Sequence, residues 1–238
     1  MWFFNKKEKI EDSGILAGGI DYHTHILPGV DDGVKELETS LEILAKHEKA
    51  GYREIWLTPH TMEDYPNTAH DLRERFATLC KAYKGGLTLR LATEYMLDNY
   101  FEQLLESKEL LPIGEEGNHL LVETSYYTPP MHLYNTLQRI KAKGYHPLFA
   151  HAERYLYLEK DNYKTLQEMG VKMQLNIPSL AGVYGPEIQK KAFWLLKNEM
   201  YSVTGSDTHC PRAIEVIKGL TLDKSSRNKL KKILQARL

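Results

Sequence analysis

Cysteine is scarce in this 238-residue chain: there are two, Cys80 and Cys210, far apart and outside any C-x-x-C pattern. That excludes a disulfide scaffold and a thiolate metal knuckle, and it fits a reducing compartment. A cysteine-based phosphatase needs an arginine six positions after its thiolate, so that one loop cradles the phosphate. Here those positions are Gly86 and Val216, so that class is excluded too. Long apolar runs are also missing. Nothing approaches the roughly 20 apolar residues of a membrane span. The opening MWFFNKKEKI has three apolar residues after Met1 before its charges begin, too few for a secretory signal. The expectation is a cytoplasmic protein without stable membrane insertion, with Trp2, Phe3 and Phe4 as a docked or frayed terminus. An excess of charge is absent as well. The formal net charge is −1, and no basic stripe with interleaved aromatics appears, so no nucleic-acid partner is expected.

No linker or low-complexity segment divides the chain. Short β-rich runs alternate with helical patterns instead. Strands are expected at 19–25, 53–60, 87–96, 119–125, 146–153, 171–179 and 201–209. Helices are expected at 36–50, 68–84, 98–108, 133–143, 161–169 and 186–198, with two more closing the chain. Strict β/α alternation implies a parallel sheet with helices outside. Seven units over about 200 residues suit a closed barrel. The expectation is an α/β fold, a distorted TIM-like (β/α)7 barrel, forming one domain over 19–238 behind an N-terminal extension, 1–18.

Nine metal-capable side chains sit at or near the ends of these strands. They are His23 and His25 in DYHTH, Asp32 in PGVDDG, His60 in LTPH, Glu94 in LATEY, Glu123 in LLVETS, His151 in LFAHAER, and Asp207 and His209 in GSDTH. In a βα barrel the C-terminal strand face is where active sites form, and every strand but the sixth contributes. A lone strand histidine is more often a core or surface residue than a ligand. Two pairs, H-x-H and D-x-H, on strands that neighbour each other in a closed barrel reverse that reading. Burying so many ionisable groups without metal would be very costly. Mixed histidine and carboxylate ligands suit manganese, iron or zinc better than magnesium or calcium, and carboxylates bridge paired ions in hydrolytic centres. The other histidines, His47, His70, His119, His132 and His146, read as structural or solvent-facing. Arg154 and Arg212 each follow a candidate ligand by three residues, and an arginine fork matches phosphate oxygens. Tyr126 and Tyr127 follow Glu123 at the barrel mouth, where they either shape a substrate cleft or merely turn the chain.

With these residues assembled, the chain resembles the PHP (polymerase and histidinol phosphatase) superfamily. Within it, the chain is similar to the manganese-dependent protein-tyrosine phosphatases of bacterial capsule and exopolysaccharide operons. The run HTHILPGVDDGVKELETSLEIL carries this most specifically, followed in order by LTPH, the glutamates of LATEY and LLVETS, HAER and SDTH. The resemblance spans about Gly19 to Ile217. It implies about three ions, manganese first, with iron or zinc as alternatives. His23, His25, Glu94 and Asp207 would hold the first; Glu94, Glu123 and His151 the second; Asp32, His60 and His209 the third. Arg154 matches the family's phosphate-binding arginine. The implied reaction is hydrolysis of protein phosphotyrosine by metal-activated hydroxide, with a bacterial tyrosine kinase as the substrate partner. Histidinol-phosphate phosphatase is the alternative, with the same fold and metals. An amidohydrolase usually carries a carboxylated lysine where Glu94 stands. A non-catalytic interaction barrel ranks last, because all nine positions are filled. The oligomeric state is left open.

Overall fold

The computed structural model describes residues 7–238, so Trp2, Phe3 and Phe4 lie outside the described residues. Its centre is a ring of parallel strands. β1 is Ile20–Thr24. β2 runs over Glu54–Leu57 and resumes at His60–Thr61. β3 runs over Thr88–Leu91 and resumes at Glu94–Met96. β4 is His119–Glu123, β5 His146–Phe149, β6 Lys172–Asn176 and β7 Val203–Gly205. Each pairs in parallel with the next. The last meets the first through a parallel bridge, Thr24 to Thr208. Asp207 N donates to His23 O (2.8 Å) and His25 N to Thr208 O (3.0 Å). The expected seven-stranded barrel is therefore formed. Its distortion lies in the interruptions: the chain bends at Pro59, which has no N–H to offer the ladder, yet Glu94 N still donates to Pro59 O (3.0 Å).

Helices wrap the ring: α1 Leu37–Ala50, α2 Ala69–Ala82, α3 Asn99–Ser107, α4 Leu133–Ala142, α5 Lys160–Glu168, α6 Pro186–Lys197, α7 Ala213–Gly219 and α8 Lys224–Leu234. Their starts follow from capping side chains. Thr68, Asp98 and Asp223 each accept from a backbone N–H in the first turn, satisfying donors the helix cannot. None of the described helices is long and apolar enough to cross a membrane.

Two apolar cores result. Ile20, Tyr22, Trp56, Leu121, Leu148 and Val203 fill the barrel, with Ala236 and Leu238 of the tail packed against them. A larger outer core joins strands to helices. At the other end, Glu8–Lys9 pairs antiparallel with Thr221–Leu222, and Ile10 is fully buried. This ties the segment before β1 to the far end of the chain.

The last three strands stop well short of their expected ends. β5 ends at Phe149, and Ala152–Arg154 forms a 3-10 turn. β6 ends at Asn176, and Ile177–Leu180 is a helical turn with Pro178 near its start. β7 ends at Gly205. His151 and Asp207 follow two of these ends with φ of 33° and 52°. Non-glycine residues rarely adopt such values, and when they do they cluster at functional sites.

Candidate metal centre

A bulge in β1 aims the first pair. Ile20 and Tyr22 face the barrel core, while the Asp21 carboxylate lies 3.4 Å from the His47 ring of α1. Plain alternation would leave His23 on the Asp21 side. The register with β2 shifts between Asp21 and Thr24, and Asp21 Oδ1 holds the bulge by accepting from His23 N (3.1 Å) and Ser206 N (2.9 Å). Past it, His23 and His25 are both fully buried at the mouth of the barrel, consistent with the use of bulges to re-aim side chains beside active sites.

Around this pair, the nine expected residues converge. Glu94 lies at the middle: Oε2 is 3.1 Å from His23 Nε2, 3.3 Å from His25 Nε2 and 3.1 Å from His60 Nδ1, and Oε1 is 2.9 Å from His151 Nε2. Glu123 faces His60 Nδ1 (3.0 Å) and His151 Nε2 (3.6 Å). Asp207 Oδ1 faces His25 Nε2 (3.3 Å) and His23 Nε2 (3.6 Å). Asp32, the most exposed member, lies 3.6 Å from His60 and 3.5 Å from His209. Within this cluster, donor atoms able to hold an ion fall into four overlapping groups: His25–Asp32–His60–His209, His23–His25–Asp207, His23–Glu94–His151 and His60–Glu94–Glu123. Relative to the expected sets, His25 also reaches the Asp32 group, and His60 also reaches the Glu94–Glu123 pair.

The hydrogen bonds behind the rings make them donors to a cation. His23 Nδ1–H donates to Gln174 Oε1 (2.8 Å) and His25 Nδ1–H to Asp31 Oδ2 (2.8 Å). Their Nε2 lone pairs therefore point at each other across 2.9 Å, a contact that only a proton or a cation makes favourable. His209 Nδ1–H donates to Asp207 O (2.8 Å), freeing its Nε2 as well. Metal-binding histidines characteristically spend the other ring N–H in this way. His60 Nδ1, Glu123 Oε1 and His151 Nδ1 are buried without a hydrogen-bond partner among the described residues. The residues present thus fit divalent ions.

The electrostatics agree. Burial raises and the His23 and His151 rings lower the Glu94 carboxyl, which ends well below its ordinary range. Burial pulls the His25 ring down, but hydrogen bonds to Asp207, Asp31 and Glu94 outweigh it and hold the ring well above its usual value. His23 is raised in the same way, with burial opposed chiefly by Glu94. His209 moves the other way, lowered by burial and by His25. The surrounding carboxylates thus favour positive charge at His23 and His25, the charge a bound cation would supply.

Arg154 stands beside the cluster. Its Nη1 donates to Asp207 Oδ2 (2.8 Å), and its guanidinium carbon lies 4.2 Å from the Tyr126 ring centroid and 4.3 Å from that of Tyr184. Asp207 therefore faces His23, His25 and His209 with one oxygen and an arginine with the other. Arg212 is exposed at the start of α7 and makes no hydrogen bond or ion pair to the cluster among the described residues. Of the two expected tyrosines, Tyr127 is 77% exposed and only Tyr126 meets Arg154. None of His47, His70, His119, His132 and His146 joins the cluster. Sequence reasoning passed over Asp31, Gln174, Asn176 and Tyr184. Asp31 was detectable as the other half of the D-D pair; the remaining three carry no sequence signature.

Comparison with known proteins follows the same lines. A family model described as capsular polysaccharide synthesis, CpsB/CapC, matches residues 19–219. Tyrosine-protein phosphatase YwqE of Bacillus subtilis strain 168 is 29% identical over 196 residues, covering 80% of this chain and 77% of that one. Tyrosine-protein phosphatase CpsB of Streptococcus pneumoniae is 30% identical over 203 residues, covering 80% and 82%. A crystal structure from work on YwqE and CpsB, described as unique metal-dependent tyrosine phosphatases, superposes with a TM-score of 0.77 at 25% identity, covering 91% of this chain and 88% of that one. Histidinol phosphate phosphatase from Lactococcus lactis shares the fold, with a TM-score of 0.53 at 14% identity, covering 91% and 94%. A matched family model spanning most of the barrel, on top of this geometry, means that the chain belongs to the CpsB/CapC family of capsular polysaccharide synthesis.

Proposed function

We propose that this chain is a metal-dependent protein-tyrosine phosphatase that works with about three divalent ions at the barrel mouth, manganese by preference. His23, His25, Glu94 and Asp207 would hold one ion, Glu94, Glu123 and His151 a second, and Asp32, His60 and His209 a third. Bound cations would supply Lewis-acid activation of water and neutralise charge on the phosphate. The observation that carries the reading is the division of Asp207 between the paired histidines and Arg154. It sets a phosphate-matching cation against a cation-binding cluster.

The chain's own residues supply the rest. Arg154 has further guanidinium N–H groups beyond the one given to Asp207, and these would bind the equatorial phosphate oxygens. The Tyr126 and Tyr184 rings both pack against the guanidinium. Tyr127, on the rim, would meet residues of the substrate. The substrate would be a phosphotyrosine protein, a bacterial tyrosine kinase of capsule synthesis being the partner that family membership supports. Arg212 would act only if α7 brought it inward. Cys80 and Cys210 are free and exposed, which suits a reducing cytoplasm. Residues 19–238 are taken as one phosphatase domain with 1–18 as an extension.

Phosphate release from a phosphotyrosine peptide and from histidinol phosphate, measured side by side with manganese or chelator, tests this. Metal-dependent turnover favouring the peptide is expected. A preference for histidinol phosphate would retain the centre and reject the substrate.

A further inference from the structure

β6 brings none of the nine residues to the mouth, yet two of its side chains point there. Gln174 and Asn176 are two apart on the strand, hence on one face, and both are buried. The NH2 group of each amide has hydrogen-bond acceptors. Gln174 Nε2 donates to Tyr22 O (3.4 Å), which leaves Oε1 to accept from His23 Nδ1–H (2.8 Å). A Cβ on Gly205, in the neighbouring strand β7, would lie 2.4 Å from His23 Cβ and 3.0 Å from Gln174 Cδ. Only glycine lets β7 press this pair together.

Asn176 uses both protons of its amide. One goes to Asp207 Oδ2 (3.2 Å) and one to the Tyr184 hydroxyl (3.1 Å). Its own backbone N–H is held by Glu153 Oε1 (3.0 Å), whose other oxygen accepts from Tyr201 (2.9 Å). One amide therefore fixes both the carboxylate and the ring that bear on Arg154. With Oδ2 occupied by Asn176 and Arg154, Asp207 turns Oδ1 to His23 and His25.

We propose that β6 is a positioning strand for the centre. Gln174 fixes the His23 tautomer so that Nε2 faces the cluster. Asn176 fixes the split of Asp207 and, through Tyr184, the plane of Arg154. The inference rests on the metal-centre reading. A pure packing role differs in its consequences: replacing one buried amide leaves its former partners unpaired and lowers stability, but a packing role alone leaves manganese affinity unchanged.

Manganese affinity, measured by calorimetry on metal-stripped protein, separates the two. Gln174→Leu is expected to weaken manganese binding by about 10–100-fold in protein that still unfolds cooperatively, with some loss of metal-free melting temperature from the unpaired His23 and Tyr22 groups. Gln174→Glu, which keeps the acceptor for His23 Nδ1–H, is expected to recover most of that loss. Asn176→Leu is expected to weaken inorganic phosphate binding to the manganese-loaded protein by about tenfold; Tyr184→Phe, which keeps the ring, should weaken it less. Wild-type manganese affinity in Gln174→Leu, or no recovery in Gln174→Glu, would overturn the proposal. Should Gln174→Leu fail to fold, nitrogen NMR of His23 in the zinc-loaded wild type decides: an Nδ1–H ring supports the proposal and an Nε2–H ring contradicts it. A wild type that binds no manganese would reject the metal centre itself and this inference with it.

Discussion

Asp207 sits at φ 52° so that one carboxylate can serve histidines on one side and an arginine on the other. Asparagine tolerates that backbone region, so Asp207→Asn should retain the fold while removing the charge. It is expected to lower kcat by more than about 100-fold and to reduce manganese content, with circular dichroism unchanged. At Arg154 the flat guanidinium packs against both the Tyr126 and Tyr184 rings, which a compact ammonium cannot do as well. Arg154→Lys should raise KM for phosphotyrosine peptide about tenfold, a difference of ~1.4 kcal/mol, and affect kcat less. The histidines set the pH response. His23 and His25 hold protons more tightly in the folded metal-free chain than when unfolded. Their contribution to metal-free stability is complete below the unfolded value of about 6.5 and is lost as pH rises through the raised folded values. The melting temperature of stripped protein should therefore decline on going from pH 6.5 upward. Manganese addition over that range should restore it and release protons, detectable in a weakly buffered titration.

The strands explain how much of this could be read in advance. Strand ends carrying H-x-H, a terminal glutamate or D-x-H signal a barrel mouth because each strand, or the loop directly after it, delivers its side chains there. Those nine positions do converge. The bulge at Asp21–Thr24 was not legible, because alternation alone cannot tell which face an H-x-H pair takes. β6 looked silent because Gln174 and Asn176 act on side chains rather than on an ion, and amides carry no ligand signature. Tyr184 lies in a turn after β6, and its link to Arg154 exists only once the ring closes. Arg212 matched by spacing but starts α7 on the surface, since spacing along a helix start does not fix direction. The tight fit of β7 gives a test: Gly205→Ala must displace His23 or Gln174. It should destabilise the protein by about 1–3 kcal/mol and weaken manganese binding as well, as read by thermal unfolding and calorimetry.

Taken whole, the molecule keeps stability and chemistry at opposite ends of one barrel. The apolar plug of Tyr22, Trp56, Leu121 and Leu148 lies below the polar mouth. Leu121→Ala should therefore cost about 2–5 kcal/mol in denaturant unfolding while leaving manganese stoichiometry in the folded protein unchanged. The central claim is that the converged mouth is a metal centre that hydrolyses phosphotyrosine. Its most direct test is to strip the protein of metal and add manganese back in steps while following phosphate release from a phosphotyrosine peptide. Turnover should be absent at the start, rise with each addition, and level off near about three equivalents per chain. Undiminished turnover of the stripped protein in chelator, or full manganese loading with no phosphate released, would contradict the account.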